Sequence, residues 1–164
     1  THDFPVGSYV SSALLMGDLY AHATHFFDQA SWLGWSDSLQ GSAASASYNA
    51  TQYPLELTNE GAITERWEII HVTSGTVNVI GETVGQVLTG VTTTQDIAPI
   101  NPATGTPYWR LPALGFGQGW SAGNIIRFNT VAAAQPAWIA RSALQGASIG
   151  GGQFTISVRG DVVA

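Results

Sequence analysis

Cysteine is absent from the 164-residue chain, which removes disulfides, thiolate nucleophiles and zinc–thiolate sites together. It leaves the compartment open, because a cysteine-free chain suits either redox environment. Lysine is absent too. Five arginines, scattered singly, face eleven acidic residues and leave a net charge of −6. Neutralising phosphates takes several clustered cations, so nucleic acid and anionic membrane surfaces are excluded as partners. Charged residues reach only 10%, against the ~25% of an ordinary globular chain. No apolar run approaches the ~20 residues of a membrane span, and the amino-terminal segment lacks the basic stretch followed by an apolar one that marks a signal peptide. The chain starts at Thr1, the start expected after initiator removal, after a cut, or at a boundary inside a longer protein.

Glycine is plentiful: 19 Gly and seven Pro, with many Ser, Thr and Asn, separate short apolar runs that never hold a helical period beyond about two turns. This punctuation predicts an all-β fold, an antiparallel sandwich or flattened barrel with long irregular loops and at most one or two short helices. At 17.2 kDa the length fits one domain over 1–164, since domains cluster near ~100–150 residues. Strands are expected at Leu19–Asp28, Tyr53–Thr58, Arg66–Thr73, Thr76–Ile80, Val84–Leu88, Asn124–Thr130, Pro136–Leu144 and Gln153–Arg159. In the last, Phe154, Ile156 and Val158 alternate with Thr155, Ser157 and Arg159, the pattern of a half-buried strand. Ser74-Gly75 reads as a hairpin turn.

Between Ser8 and Leu19 the apolar spacing of Val10, Ala13, Leu14 and Gly17 allows a short helix, with a strand as the rival. Ser36–Thr51 is small and polar and reads as an exposed loop. The stretch from Thr92 to Gly119 holds Pro99, Pro102, Pro107 and Pro112, which rule out a central strand there. Trp67, Ile69, Val77, Val79, Ile126, Phe128, Trp138, Phe154, Ile156 and Val158 are the expected core.

Several constellations have plain structural readings. His22 and His25 point to opposite faces of the expected strand, while His2 and His71 stand apart, so hydrogen-bonded or solvated histidines account for them better than a metal. Glu60, Glu65, Glu68 and Glu82 crowd one region and could supply a glycosidase pair, but pairing with Arg66 or solvation is the simpler reading. Gly115-Phe116-Gly117-Gln118-Gly119 lacks the Lys-Ser/Thr of a phosphate loop and reads as a tight turn with close packing. Arg159-Gly160-Asp161 spells an adhesion tripeptide, a three-letter match that a strand-ending turn explains, and Asn49-Ala50-Thr51 fits a glycosylation sequon that matters only in a secretory pathway. No residue is expected to hold a cofactor or a metal, or to act as a catalyst.

The six Trp, five Tyr and six Phe carry more information. Trp32 and Trp35 flank Gly34, and Tyr108, Trp109, Phe116 and Trp120 lie in or beside the Pro/Gly-rich stretch. Exposed rings on loops can stack on sugars, whereas core filling or burial against a neighbouring subunit is the commoner use. Tyr108, Trp109, Phe116 and Trp120 are the expected interface. Their faces are taken as too large for a small domain to bury, and the prolines stiffen the stretch that presents them.

Specific runs carry a resemblance. Thr58-Asn59-Glu60-Gly61-Ala62-Ile63-Thr64-Glu65-Arg66-Trp67, and Val79-Ile80-Gly81-Glu82 with Gly85, resemble a family of tailed-bacteriophage virion proteins, in particular long tail-associated proteins. The similarity continues through Ala98–Tyr108, Gly117–Thr130, Trp138–Arg141 and the ending Val158-Arg159-Gly160-Asp161-Val162, and is strongest from residue 58 onward. It implies a structural, non-catalytic role in a virion assembled in the cytoplasm of a bacterial host, in the tail or its distal end, with no cofactor. The segment would close a longer protein at its carboxyl end. Its partners would be copies of itself in three-fold or six-fold array and other virion proteins. The low charge agrees, since a free monomer ordinarily carries more for solubility. The alternative is a β-sandwich module of the same particle that recognises a host-surface glycan, and a glycoside hydrolase is a third class with less support.

Overall fold

The computed structural model describes residues 10–14, 20–133 and 137–141, with 10–14 and 137–141 described by their backbone. Among them seven strands follow in order: β1 (Val10–Leu14), β2 (His22–Gln29), β3 (Glu65–His71), β4 (Thr76–Gly81), β5 (Gly85–Thr92), β6 (Ile125–Val131) and β7 (Ala137–Arg141). The chain divides into two compact units, Thr1–Ala13 with Trp138–Ala164, and Leu14–Ala137. Strands β1 and β7 pair as a two-stranded sheet, and the other five form an antiparallel sheet in the order β2-β6-β3-β4-β5.

The alternation read in 65–81 builds the centre of this larger sheet. Trp67 lies opposite Phe128 on β6 and Gly81 on β4, and Ile69 lies opposite Ile126 and Val79. One face of three strands is therefore apolar. Trp67, Ile69, Val77, Val79, Ile126 and Phe128 are all at most 1% exposed, as the sequence predicts, and burying side chains of this size contributes ~1.5–3 kcal/mol each. Within the fold Trp67 also finds a polar partner. Its Nε1 donates to Thr130 Oγ1 at 2.8 Å, and that hydroxyl donates to the Ile63 carbonyl at 2.6 Å.

Irregular chain covers this face. The segment 97–120 folds over it with single bridges (Ile97 to Leu111, Ile100 to Pro107), and is tied to 48–56 by Tyr48 to Phe116 and Glu56 to Arg110. Trp109 stands edge-on to both Phe128 (5.1 Å) and Trp67 (5.5 Å). Gly115 in the 3-10 turn Ala113–Gly115 lies so close to Tyr48 that an added Cβ would come within 2.2 Å of its ring. The tight-packing reading of the glycine run holds at this residue.

Both edge strands are bulged. On β2 the register shifts between Thr24 and Phe27, where His25 takes φ 53°, a left-handed conformation that histidine tolerates better than most residues. The bulge puts Phe26 in parallel stacking on Phe128, 5.4 Å between centroids. On β5 the pairing to β4 slips around Val79, Gly90 takes φ 62°, and its amide donates to the Asn78 side chain at 2.8 Å.

Three expectations are corrected. Residues 10–14 of the window read as a possible helix form strand β1, the rival reading for a segment too short for periodicity to decide. Tyr53–Thr58 makes only the Glu56 bridge to Arg110, because this segment caps the sheet instead of joining its ladder. Ser36–Thr51 is not wholly an exposed loop, since Ala46 and Tyr48 are 4% and 5% exposed and belong to the core. The hairpin at Ser74-Gly75 joins β3 to β4, with Thr73 Oγ1 accepting the Gly75 and Thr76 amides. The expected strand Gln153–Arg159, the core residues Phe154, Ile156 and Val158, and the Trp138 side chain lie outside the described residues.

Candidate functional site

Tyr108, Trp109 and Trp120 are 5%, 1% and 5% exposed, and Phe116 is half-buried. The expectation that these rings stay uncovered is corrected: the proline-rich stretch lies against its own sheet and buries them. Trp120 stacks flat on His71 at 4.4 Å. Among small and polar exposed residues such as Thr104, Arg110 and Gln118, the stretch turns two large aliphatic side chains outward, Ile100 at 54% and Leu114 at 77% exposure. Arg110 braces it by pairing with Glu56 at 2.5 Å and with Asp96, whose other oxygen accepts the Ala113 amide at 2.7 Å.

The opposite face of the sheet carries polar side chains beside Ile70, Ile80 and Ile125. Register places Arg66 beside Asn129 and Glu68 beside Arg127, and the segment 31–40 runs along them. Asp37 reaches down to clamp two strands. It accepts from Arg66 Nε (2.8 Å) and Nη2 (3.0 Å) and from Asn129 Nδ2 (2.8 Å), while Arg66 Nη1 donates to Glu82 at 2.9 Å. These groups line an open cleft of about 350 Å³ with Thr24, Thr64, Thr83 and His25. The Arg66 hydrogen bonds hold the Asp37 carboxyl well below the usual carboxylate range, so it accepts hydrogen bonds at neutral pH and does not deliver protons. Glu65, also in the cleft wall, is 6% exposed and spends its carboxylate on the Thr83 and Val84 amides of the β4–β5 turn.

The expected pairing of the glutamates with Arg66 is realised by Glu82 alone. Asp37 and Asn129 are not legible as site residues, because they lie 29 and 63 positions from Arg66: the register of β3 with β6 brings Asn129 to it, and the course of the 31–40 segment brings Asp37. Further along the same face Arg127 is buried under the 31–40 segment. It donates to the Ser36 carbonyl and lies over the rings of Phe27 (5.1 Å) and Trp32 (5.8 Å). Glu68 beside it is 4% exposed with Oε2 unpartnered, and burial pushes its carboxyl up to about 7 against the attraction of Arg127.

The histidines are dispersed: His25 lines the polar cleft and His22 an apolar hollow of about 510 Å³ beside Phe26 and Leu55. His71 is 1% exposed, and burial lowers its pKa, so it sits in the core as the neutral ring. Among the described residues no three His, Asp or Glu side chains converge as a metal would require. Asn49 is engaged in a local turn, accepting the Gln52 amide at 3.0 Å, and Arg159-Gly160-Asp161 lies outside the described residues. Comparison with known proteins finds no matching family model, no matching curated protein and no matching solved structure.

Proposed function

We propose that this chain is a structural building block of a tailed-bacteriophage particle, in the tail or its distal end, acting through protein–protein contacts with copies of itself and with other virion proteins. The observation that carries the reading is the outward aliphatic pair Ile100 and Leu114, 54% and 77% exposed, on a stretch that is otherwise fixed to the domain. Prolines 99, 102, 107 and 112 and the Glu56–Arg110–Asp96 ion pairs restrain that stretch, so little conformational entropy is lost when it docks. The interface location read from the sequence is kept and its contact residues are replaced: the aromatics brace the surface from beneath, and the aliphatic side chains meet the neighbour. The resemblance over 58–67, 98–108 and 117–130 supports the virion context and suggests three-fold or six-fold symmetry. A ring of either order needs two different complementary patches, so the surface facing Leu114 would lie elsewhere on the neighbouring copy.

Purified phage particles, digested and analysed by mass spectrometry alongside labelled electron microscopy, test this reading. The chain is expected in fixed stoichiometry at the tail. Its absence from particles, with all of it free in the lysate, contradicts the proposal.

A further inference from the structure

We propose that the polar face of the sheet, from Trp32 to the Asp37–Arg66–Asn129 cleft, binds an uncharged saccharide. The inference does not rest on the assembly reading, since it concerns the opposite face of the sheet and a small ligand.

A sugar presents an apolar C–H face and a rim of hydroxyls. It is recognised by a held aromatic face next to fixed, planar donors and acceptors. Both halves are present. Trp32 is 40% exposed while the buried guanidinium of Arg127 lies 5.8 Å from its ring centroid. Trp35 meets it edge-on, 5.0 Å between centroids, across Gly34, and Gly34 takes φ 113°, a backbone state reserved for glycine. The turn brings the two residues together, and the ring contacts with each other and with Arg127 hold the indoles in place. Such a preset ring loses little entropy on binding.

The polar half follows directly. Arg127 and Asn129 share one face of β6 two residues apart, about 7 Å, which brings the ring beside the cleft. There Asp37 holds both Arg66 and Asn129 by hydrogen bonds, with side-chain exposures of 38% for Arg66 and 48% for Asp37. Thr24, Thr64 and Thr83 complete the rim. Carboxylate oxygens retain lone pairs and the guanidinium retains N–H groups after this pairing, so the set can both accept from and donate to hydroxyls. The cleft holds three carboxylates against one guanidinium. That balance repels uronates, sialic acids and phosphates, and selects a neutral glycan.

The full chain applied to an array of neutral, N-acetylated and acidic glycans, with the best neutral glycan then titrated by calorimetry, tests the proposal. Neutral glycans are expected to bind. Trp32→Ala should weaken binding by at least about tenfold, Trp32→Tyr should restore most of it, and Asp37→Asn should weaken it while circular dichroism shows a folded chain. Leu114→Ala, on the other face, should leave it unchanged. No binding across the array, a preference for acidic glycans, or binding indifferent to Trp32→Ala and Asp37→Asn would each overturn the proposal. Particle incorporation measured on the same variants separates this outcome from the assembly reading.

Discussion

A half-buried aspartate and a buried histidine show how single residues set the pH response of the fold. Asp28 accepts the Tyr48 amide through Oδ2 at 2.9 Å, but its Oδ1 has no partner and burial pushes its carboxyl up to about 6. The unfolded chain releases this proton near 3.8, while the folded chain keeps it to about 6. The folded state thus binds more protons across that window, and stability falls as pH rises through it. Asp28→Asn should therefore raise the melting temperature relative to the parent at pH 8, by the equivalent of about 1–2 kcal/mol after allowance for solvent screening. The gain should vanish at pH 4, where the parent carboxyl is protonated in the folded chain. Melting curves of both proteins at the two pH values check this, and an equal gain at both would refute the assignment. His71 works in the opposite direction. Its folded pKa is lowered, so the unfolded chain takes up the proton first and stability falls as pH drops below the unfolded value near 6.5 toward the lower folded one.

At the scale of elements, the fold depends on irregular segments packing as tightly as strands. An added Cβ at Gly61 would come within 1.9 Å of the Pro107 carbonyl oxygen, and one at Gly115 within 2.2 Å of Tyr48. Gly115→Ala should cost ~1–3 kcal/mol, as overpacking does. Gly61→Ala should cost more, because its obstacle is backbone and its own carbonyl anchors Asn101 Nδ2 at 3.0 Å. Urea unfolding of the two variants gives the order. Trp109→Ala should cost ~3–5 kcal/mol, whereas Leu114→Ala should stay within about 0.5 kcal/mol. Equal, small losses for the two would show that Trp109 is not the core residue described here.

This division also marks what the sequence made legible. Strands β3, β4 and β6 could be read because alternation is a local signal, and Trp67, Val79 and Phe128 each sit at a phase that burial enforces. The 97–120 cover could not, since its aromatics carry no period and the identity of their partner is decided by chain distant in sequence: Trp109 against Phe128, Tyr48 against Gly115. The same limit hid the polar cleft, where the sequence offers Arg66 with four nearby glutamates but does not single out Glu82, and gives no sign of Asp37 or Asn129. The bulge at His25 has no sequence signature that separates it from a regular strand position, yet it decides that Phe26 faces Phe128.

For the whole molecule, the edges matter as much as the faces. An open sheet invites edge-to-edge pairing, and bulges are one of the devices that discourage it. With His25 breaking β2 and the slipped register around Val79 and Gly90 breaking β5, association is expected through side chains on the cover instead of through extension of the sheet. Replacing Ile100 and Leu114 by arginine should leave the melting temperature of the isolated chain nearly unchanged, because both are exposed, and should abolish its incorporation into particles. Phage production from a host carrying the doubly substituted gene, scored by tail assembly, checks that outcome.

The most direct measurement is an electron cryomicroscopy reconstruction of the assembled tail at a resolution that traces side chains. The account predicts that this chain occupies a ring of three-fold or six-fold symmetry, with Ile100 and Leu114 seated against an adjacent chain and Tyr108, Trp109 and Trp120 buried within their own. A tail in which Ile100 and Leu114 face solvent, or in which the aromatics swing out to meet the neighbour, would contradict it.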